Sequence, residues 1–179
     1  MTHPQSPPES HAVLPPAAQD AAIAQGLGRI PSGLFIVTWR EAEDDRGMLA
    51  SWVMQAGFAP PMISIAMAPG RDLLAVINSG MRFVVNVLAD AQRPLLARFG
   101  KPAAGGDDPF VGLSIRRSEC GAAIFDGAAA WLECSPVSQT SGTPGERCDH
   151  VVVLARVTAA SGGNDLAPLV HVRKNGLRY

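Results

Sequence analysis

The chain has 179 residues, of which 47% are hydrophobic and 17% charged, with a formal net charge of −1 at pH 7. That length suits one domain with a substantial core, and the composition excludes a wholly disordered chain. Near-neutral charge removes any global electrostatic reason to seek nucleic acid or an anionic membrane, and no stretch reaches the ~20 apolar residues that span a bilayer.

Residues 1–16 carry prolines at 4, 7, 8, 15 and 16 among polar residues. Such sequence cannot pack a core, so it reads as a disordered tail ahead of a domain over 17–179. It has no basic start followed by an apolar run, so it is not a secretory signal, and a cytoplasmic protein is expected. Ala17–Leu27 reads as a short amphipathic helix stopped by glycine. Gly33–Trp39 is β-branched and aromatic, the pattern of a buried strand. Glu41–Arg46 reads as a charged turn, and Gly47–Val53 as the returning strand of a hairpin. Pro60-Pro61 stiffens the approach to a strand over Met62–Met67. Asp72–Ser79 is a helix with Leu73, Leu74, Val76 and Ile77 on its apolar side, ended by Gly80.

Arg82–Leu88 is the next strand and Ala91–Phe99 the next helix, with Leu95, Leu96 and Phe99 inward. Gly100–Gly112 reads as a loop. Strands are expected over Leu113–Arg117, Ala129–Val137 and His150–Thr158, with a turn at Gly142–Glu146 and a final short strand over Leu169–Val172. The fold class is therefore mainly β, with about seven strands and a few short helices. Many short strands favour a barrel or sandwich, whereas too few helices alternate with strands for a doubly wound parallel sheet.

The phosphate-loop, dinucleotide-fingerprint, zinc-protease and nucleophile-elbow signatures are all missing. Cys120, Cys134 and Cys148 are odd in number and widely spaced, which argues against a disulfide framework and for a reducing compartment. Without a CxxC pair, these three and His150 make a poor zinc set, and no metal is expected.

One ordered series of segments is more informative. Gly28–Gly33 (GRIPSG) is followed by GMLASW from Gly47, FAPPMISIA from Phe58, Gly70-Arg71, FVVNVL from Phe83, Asp108-Pro109-Phe110, WLEC from Trp131 and PLVHVRKNGLRY at the end. In this order the series resembles the flavin reductase-like family, whose fold is an FMN-binding split β-barrel of Greek-key type. The resemblance covers roughly residues 20–179. It implies an NAD(P)H:flavin oxidoreductase, with FMN or FAD as flavin and NADH or NADPH as donor. It also implies a homodimer, and a monooxygenase or a flavodiiron-type protein as acceptor of the electrons.

The same resemblance lays Met48, Leu49, Ala50, Ser51, Trp52 and Val53 along the isoalloxazine, where small Ala50 and Ser51 let backbone approach the ring. Ala66, Met67 and Ala68 back the ribityl chain, and Arg71 suits the phosphate. Asn86 is either tied to neighbouring backbone or bonded to flavin. Asp149-His150 matches the family's Gly-Asp-His, with Cys148 in place of the glycine; His150 would orient nicotinamide or donate to the flavin, or else simply begin a strand. Lys101 is a candidate pyrophosphate contact, and Arg178 and Tyr179 candidates to cover the flavin. Two other readings stand beside the reductase: an FMN-holding electron-transfer protein without nucleotide oxidation, and a split-barrel protein without flavin, in which His150 and His171 would ligate haem.

Overall fold

The computed structural model describes residues 16–100, 108–140, 148–162 and 164–177. Ser32–His171 form one unit. A smaller unit includes residues 16–31 and 172–177. The expected proline-rich tail up to residue 15, the 142–146 turn, Lys101, Arg178 and Tyr179 lie outside the described residues.

In the larger unit the β-branched segments become strands: β1 (Ser32–Gly33), β2 (Phe35–Glu41), β3 (Asp44–Ala50), β4 (Val53–Phe58), β5 (Pro61–Met67), β6 (Phe83–Val87), β7 (Ile115–Arg117), β8 (Ala123–Phe125), β9 (Ala130–Thr140), β10 (Val151–Ala160) and β11 (Val170–His171). Seven of them form one antiparallel sheet in the order β3-β2-β6-β9-β10-β5-β4, while β1-β11 and β7-β8 are two-stranded. The two edges of the large sheet, β3 and β4, are consecutive in the chain. Only Ser51 and Trp52 separate them. Three extended steps reach at most about 11 Å, so the edges must lie side by side and the sheet must roll up. The result is a barrel split along one seam, as the sequence led us to expect.

The two larger hydrophobic clusters lie on opposite faces of the sheet. Inside the barrel lie Val37, Trp39, Ala50, Val53, Ile63, Ile65, Met67, Phe83, Val85, Cys134, Val153 and Ala155. After the N-terminal helix α1 (Pro16–Gly28), helix α2 (Asp72–Asn78) contributes Leu73, Val76 and Ile77 to the same cluster. Alternate residues of β2 and β6 face the other way. There Ile36 and Leu88 pack with Leu95, Phe99, Phe110, Phe125 and Leu169.

Several local expectations change. The β2–β3 hairpin turns at Ala42 and Glu43 alone, since Glu41 pairs with Asp44. The acidic stretch runs in strand because its charges stay near water and meet arginines: Arg40 pairs with Glu43 and Asp45, and Arg117 reaches Asp45 too. The strand expected over Gly47–Val53 breaks at Ser51-Trp52, and β4 fills what read as a loop before Pro60. Pro94, which lacks an N–H, divides the expected Ala91–Phe99 helix into a 3-10 turn (Asp90–Gln92) and helix α3 (Leu95–Phe99). Strand β8 was not anticipated.

In the smaller unit α1 spans Pro16–Gly28, but its larger apolar residues Ile23 and Leu27 are exposed and Ala24 and Gly28 are buried. A close crossing explains this. The Gly176 N–H donates to the Ala24 carbonyl, and a Cβ on Gly28 would lie 2.9 Å from the Arg173 carbonyl oxygen. Only small side chains permit that approach.

Candidate functional site: the seam of the split barrel

The seam brings together most of the residues singled out in the sequence. Ala50 ends β3 opposite Phe35 and faces the barrel core. Ser51 and Trp52 cross the seam. Val53 then starts β4 opposite Ile65. The crossing is fastened by the Ala66 N–H, which donates to the Trp52 carbonyl at 2.9 Å. Met67 pairs with Val151 of β10, so the residue just before that strand, His150, is carried to the same end. Its ring lies on Trp52, with centroids 4.5 Å apart and planes tilted by 49°. The Asp149 Oδ1 is 2.9 Å from His150 Nδ1, and this contact holds the Asp149 carboxyl below the usual carboxylate range.

What does each residue offer there? Val53 and Met67 are buried with their side chains in the core, so they present backbone only. Met48 packs against the barrel core as well, whereas Leu49 points to the other face, beside the Phe99 cluster. Ala50, Ser51, Ala66 and Ala68 are small, so backbone at the seam is approachable. Among the described residues the outer rims of β3 and β4 have no partner strand within the sheet. Unpaired rim groups need hydrogen-bond partners. Arg71 is exposed and just precedes α2; its carbonyl accepts from the Leu74 N–H, and no ion pair or hydrogen bond engages its guanidinium among the described residues.

Asn86 does not belong to this set. It is fully buried on the opposite face of β6. Its Nδ2 donates to the Ile36 carbonyl, Thr38 Oγ1 and the Ala123 carbonyl at 3.2–3.3 Å, and its Oδ1 accepts from the Phe125 N–H at 2.9 Å. Of the two roles that its sequence context allowed, the backbone tie is the one it performs; it pins the β7–β8 hairpin to the barrel. Its side chain is fully buried and its amide hydrogens are engaged inside the protein, so its observed contacts serve the fold rather than the seam.

One polar cluster was missed by sequence reasoning. Glu133 is buried, 2.6 Å from the Arg82 guanidinium, and also accepts from the Cys120 N–H at 3.1 Å. The charged residue within WLEC was the available signal. Its partners lie 13 and 51 residues away, and nothing local names them. No cluster of three metal-ligating side chains exists among the described residues. Cys134 is buried, Cys148 exposed, and neither is in a disulfide. Among the described residues no helix is long and apolar enough to cross a membrane.

The model of the flavin reductase like domain matches residues 27–176. The chain belongs to the flavin reductase-like family. A putative diflavin flavoprotein A 3 from Nostoc sp. is 38% identical over 162 residues, covering 89% of this chain and 27% of that protein. The chain thus spans about a quarter of the length of the curated relatives that it matches. Among solved structures, a homologue of nitrilotriacetate monooxygenase component B from Mycobacterium thermoresistibile superposes with a TM-score of 0.75 at 26% identity, over 88% of this chain and 85% of that one. An NADH:FAD oxidoreductase of Streptomyces globisporus in complex with NAD and FAD fragments shares the fold at 23% identity, with a TM-score of 0.74 over 91% of this chain and 94% of that one. The family and the split-barrel fold follow from these matches.

Proposed function

We propose that this protein is an NAD(P)H-dependent flavin reductase that holds FMN, with FAD as the alternative flavin, in the seam between β3 and β4. The observation that carries the reading is the convergence at Ser51-Trp52: two strand rims without a partner strand among the described residues, a run of small residues, the Ala66–Trp52 hydrogen bond and a histidine ring tilted against Trp52 at one place. Isoalloxazine is flat and largely apolar, with an amide-like polar edge, and such a rim supplies both surfaces. When bound, the flavin accepts hydride from the nicotinamide donor.

The protein's own work is positioning. Backbone of Ala50 and Ser51 meets the polar edge of the ring, and an N–H aimed there stabilises negative charge as it develops. Ala66–Ala68 flank the ribityl chain. The unengaged Arg71 guanidinium takes the phosphate. His150, held on Trp52, borders the place where nicotinamide stacks. No acid–base pair is needed, in keeping with the lack of any triad. The protein acts as a homodimer, with Met54 and Phe58, exposed on β4 beside the seam, facing the second copy. Its reduced flavin serves a monooxygenase partner; the likeness to a monooxygenase component B supports this choice.

A second reading has its own support. The diflavin flavoprotein relatives carry the matching segment within much longer chains. There the domain need only pass electrons onward, and FMN would be held without nucleotide oxidation by this chain alone. The haem reading receives no comparable support, since His150 is already engaged by Trp52 and Asp149.

A visible spectrum after adding FMN, then NADH and NADPH without oxygen, separates the readings. Bound flavin that bleaches within seconds of either nucleotide establishes the reductase and names its donor. Flavin that stays yellow moves the assignment to the carrier. Protein that retains no flavin overturns both.

A further inference from the structure

Phe35 opens β2 directly opposite Ala50, the last residue of β3 before the crossing, and opposite Val87 on its other side. Residues opposite one another in an antiparallel pair share a face. Here that face is the barrel interior, where Ala50 is buried and Phe35 packs, half-buried, against the same cluster. The Phe35 ring lies over Gly33, two residues back. A Cβ on Gly33 would run into it, 2.8 Å from Cε2 and closer still to Cζ. Gly33 does not take a positive φ, so what requires glycine there is the ring and not the backbone. The chain beneath the ring is fastened on both sides. Gly33 pairs with Val170, the Leu34 N–H donates to the Leu169 carbonyl at 3.0 Å, and the Leu34 carbonyl accepts from the Leu88 N–H at 3.1 Å.

We propose that Phe35 is a positioning residue for the flavin site, a ring held on a fixed floor at Gly33 that sets where the Ala50–Ser51 backbone lies. Among the described residues β3 is paired to a strand on one side only, with β2. An edge strand held along one side tilts about that side unless packing stops it. Ala50 brings a single methyl to the interior, and the ring opposite it fills the space below. Close packing turns the volume of that ring into a fixed strand position. A shorter side chain at position 35 leaves a gap, which the edge strand closes by sinking inward. The Ala50 and Ser51 backbone then withdraws from the place where the polar edge of the flavin lies. This step rests on the flavin site proposed above; the packing of Phe35 on Gly33 does not.

Two readouts on the full chain test the proposal. The first is the denaturant midpoint without ligand. Gly33→Ala and Phe35→Ala should each lower it, and the double variant should be no worse than Phe35→Ala, because the added methyl takes space that the ring has left. Phe35→Leu, which removes the tip of the ring and keeps an apolar side chain, serves where Phe35→Ala does not fold. Additive losses overturn the seating of the ring on Gly33. The second readout is binding of oxidised and of dithionite-reduced FMN without oxygen. Reduced flavin carries negative charge near neutral pH, and an N–H donates more strongly to a charged acceptor than to a neutral one. Phe35→Leu and Gly33→Ala should therefore weaken reduced FMN about tenfold and oxidised FMN by less. A ring that served the fold alone would lower the midpoint and leave the ratio of the two affinities at its wild-type value, and that result overturns the role at Ala50. Wild type that binds FMN in neither state overturns the flavin reading itself, while the midpoints still decide whether Gly33 and Phe35 are coupled.

Discussion

Asn86 sits between two apolar strand residues, and burial of an amide obliges it to find partners. It finds four, all inside the protein, and these join β2, β6 and the β7–β8 hairpin. Asn86→Leu keeps the volume but leaves the Phe125 N–H unsatisfied, while the Ala123 carbonyl still accepts from Thr38 Oγ1 at 2.6 Å. The expected cost is about 1–3 kcal/mol, seen as a lower midpoint in denaturant with flavin affinity of the folded protein unaltered. A tenfold loss of flavin affinity would return Asn86 to the binding site. Cys134 makes a second prediction at this scale. Burial, with the neighbouring Glu133 charge second, pushes its thiol up to about 12 from an ordinary 9.0. The folded chain therefore keeps this proton at pH values where the unfolded chain has lost it. The stabilisation it contributes is complete below pH 9 and is lost as pH rises from there toward 12. Since the thiolate is the reactive form, a thiol reagent at pH 8 should label exposed Cys148 in native protein, and Cys134 only after unfolding. Labelling of Cys134 at the rate of Cys148 would contradict its burial.

At the scale of elements, the β2–β3 hairpin has a residue in the wrong place. Ala42 takes φ 52 in the first position of a two-residue turn, a position that favours glycine. Ala42→Gly removes that penalty of about 1 kcal/mol at the cost of some unfolded-state entropy, so the net gain should be a few tenths of a kcal/mol. Chemical denaturation would register it as a small rise in midpoint, and a fall would mean that the turn is not strained. This same hairpin shows where element reading from sequence succeeds and fails. Apolar β-branched runs such as Phe35–Trp39 and Phe83–Val87 were legible because burial on both faces writes itself into composition. Asp44–Arg46 was not, because ion pairs with Arg40 and Arg117 replace burial there, and Arg117 is 72 residues from Asp45. Strand β4 was missed for a related reason: it is an edge, exposed along Met54–Ala56, and its alternation is lost. The seam residues were found through the order of their segments. What local pattern did not reveal is that Ser51-Trp52 joins opposite edges of one sheet, since strand order is a property of the whole chain.

At the scale of the whole molecule, the two sheet edges are protected unequally. Strand β3 begins with Asp44, Asp45 and Arg46, and charges on an edge deter pairing with another chain. Strand β4 instead exposes Met54 at 69% and Phe58 at 86%, beside the seam where flavin is proposed to lie. Side chains of that size left in water favour a cover, and a second copy of the chain would provide one while closing the flavin site. Phe58→Glu places a charge in that contact. Light scattering at micromolar protein should give a two-chain mass for wild type with flavin saturated and a one-chain mass for the variant. Flavin affinity should fall along with dimerisation if the second copy helps to form the site. The melting temperature offers an independent check. A ligand at 100 times its Kd adds about 2.7 kcal/mol to the state that binds it, and when that state is a dimer the midpoint also rises with protein concentration. Wild type with FMN should therefore melt later as it is concentrated, and Phe58→Glu should not. A wild-type midpoint independent of concentration, together with a one-chain mass, would establish that the seam holds flavin within a single chain and that β4 is covered by something else.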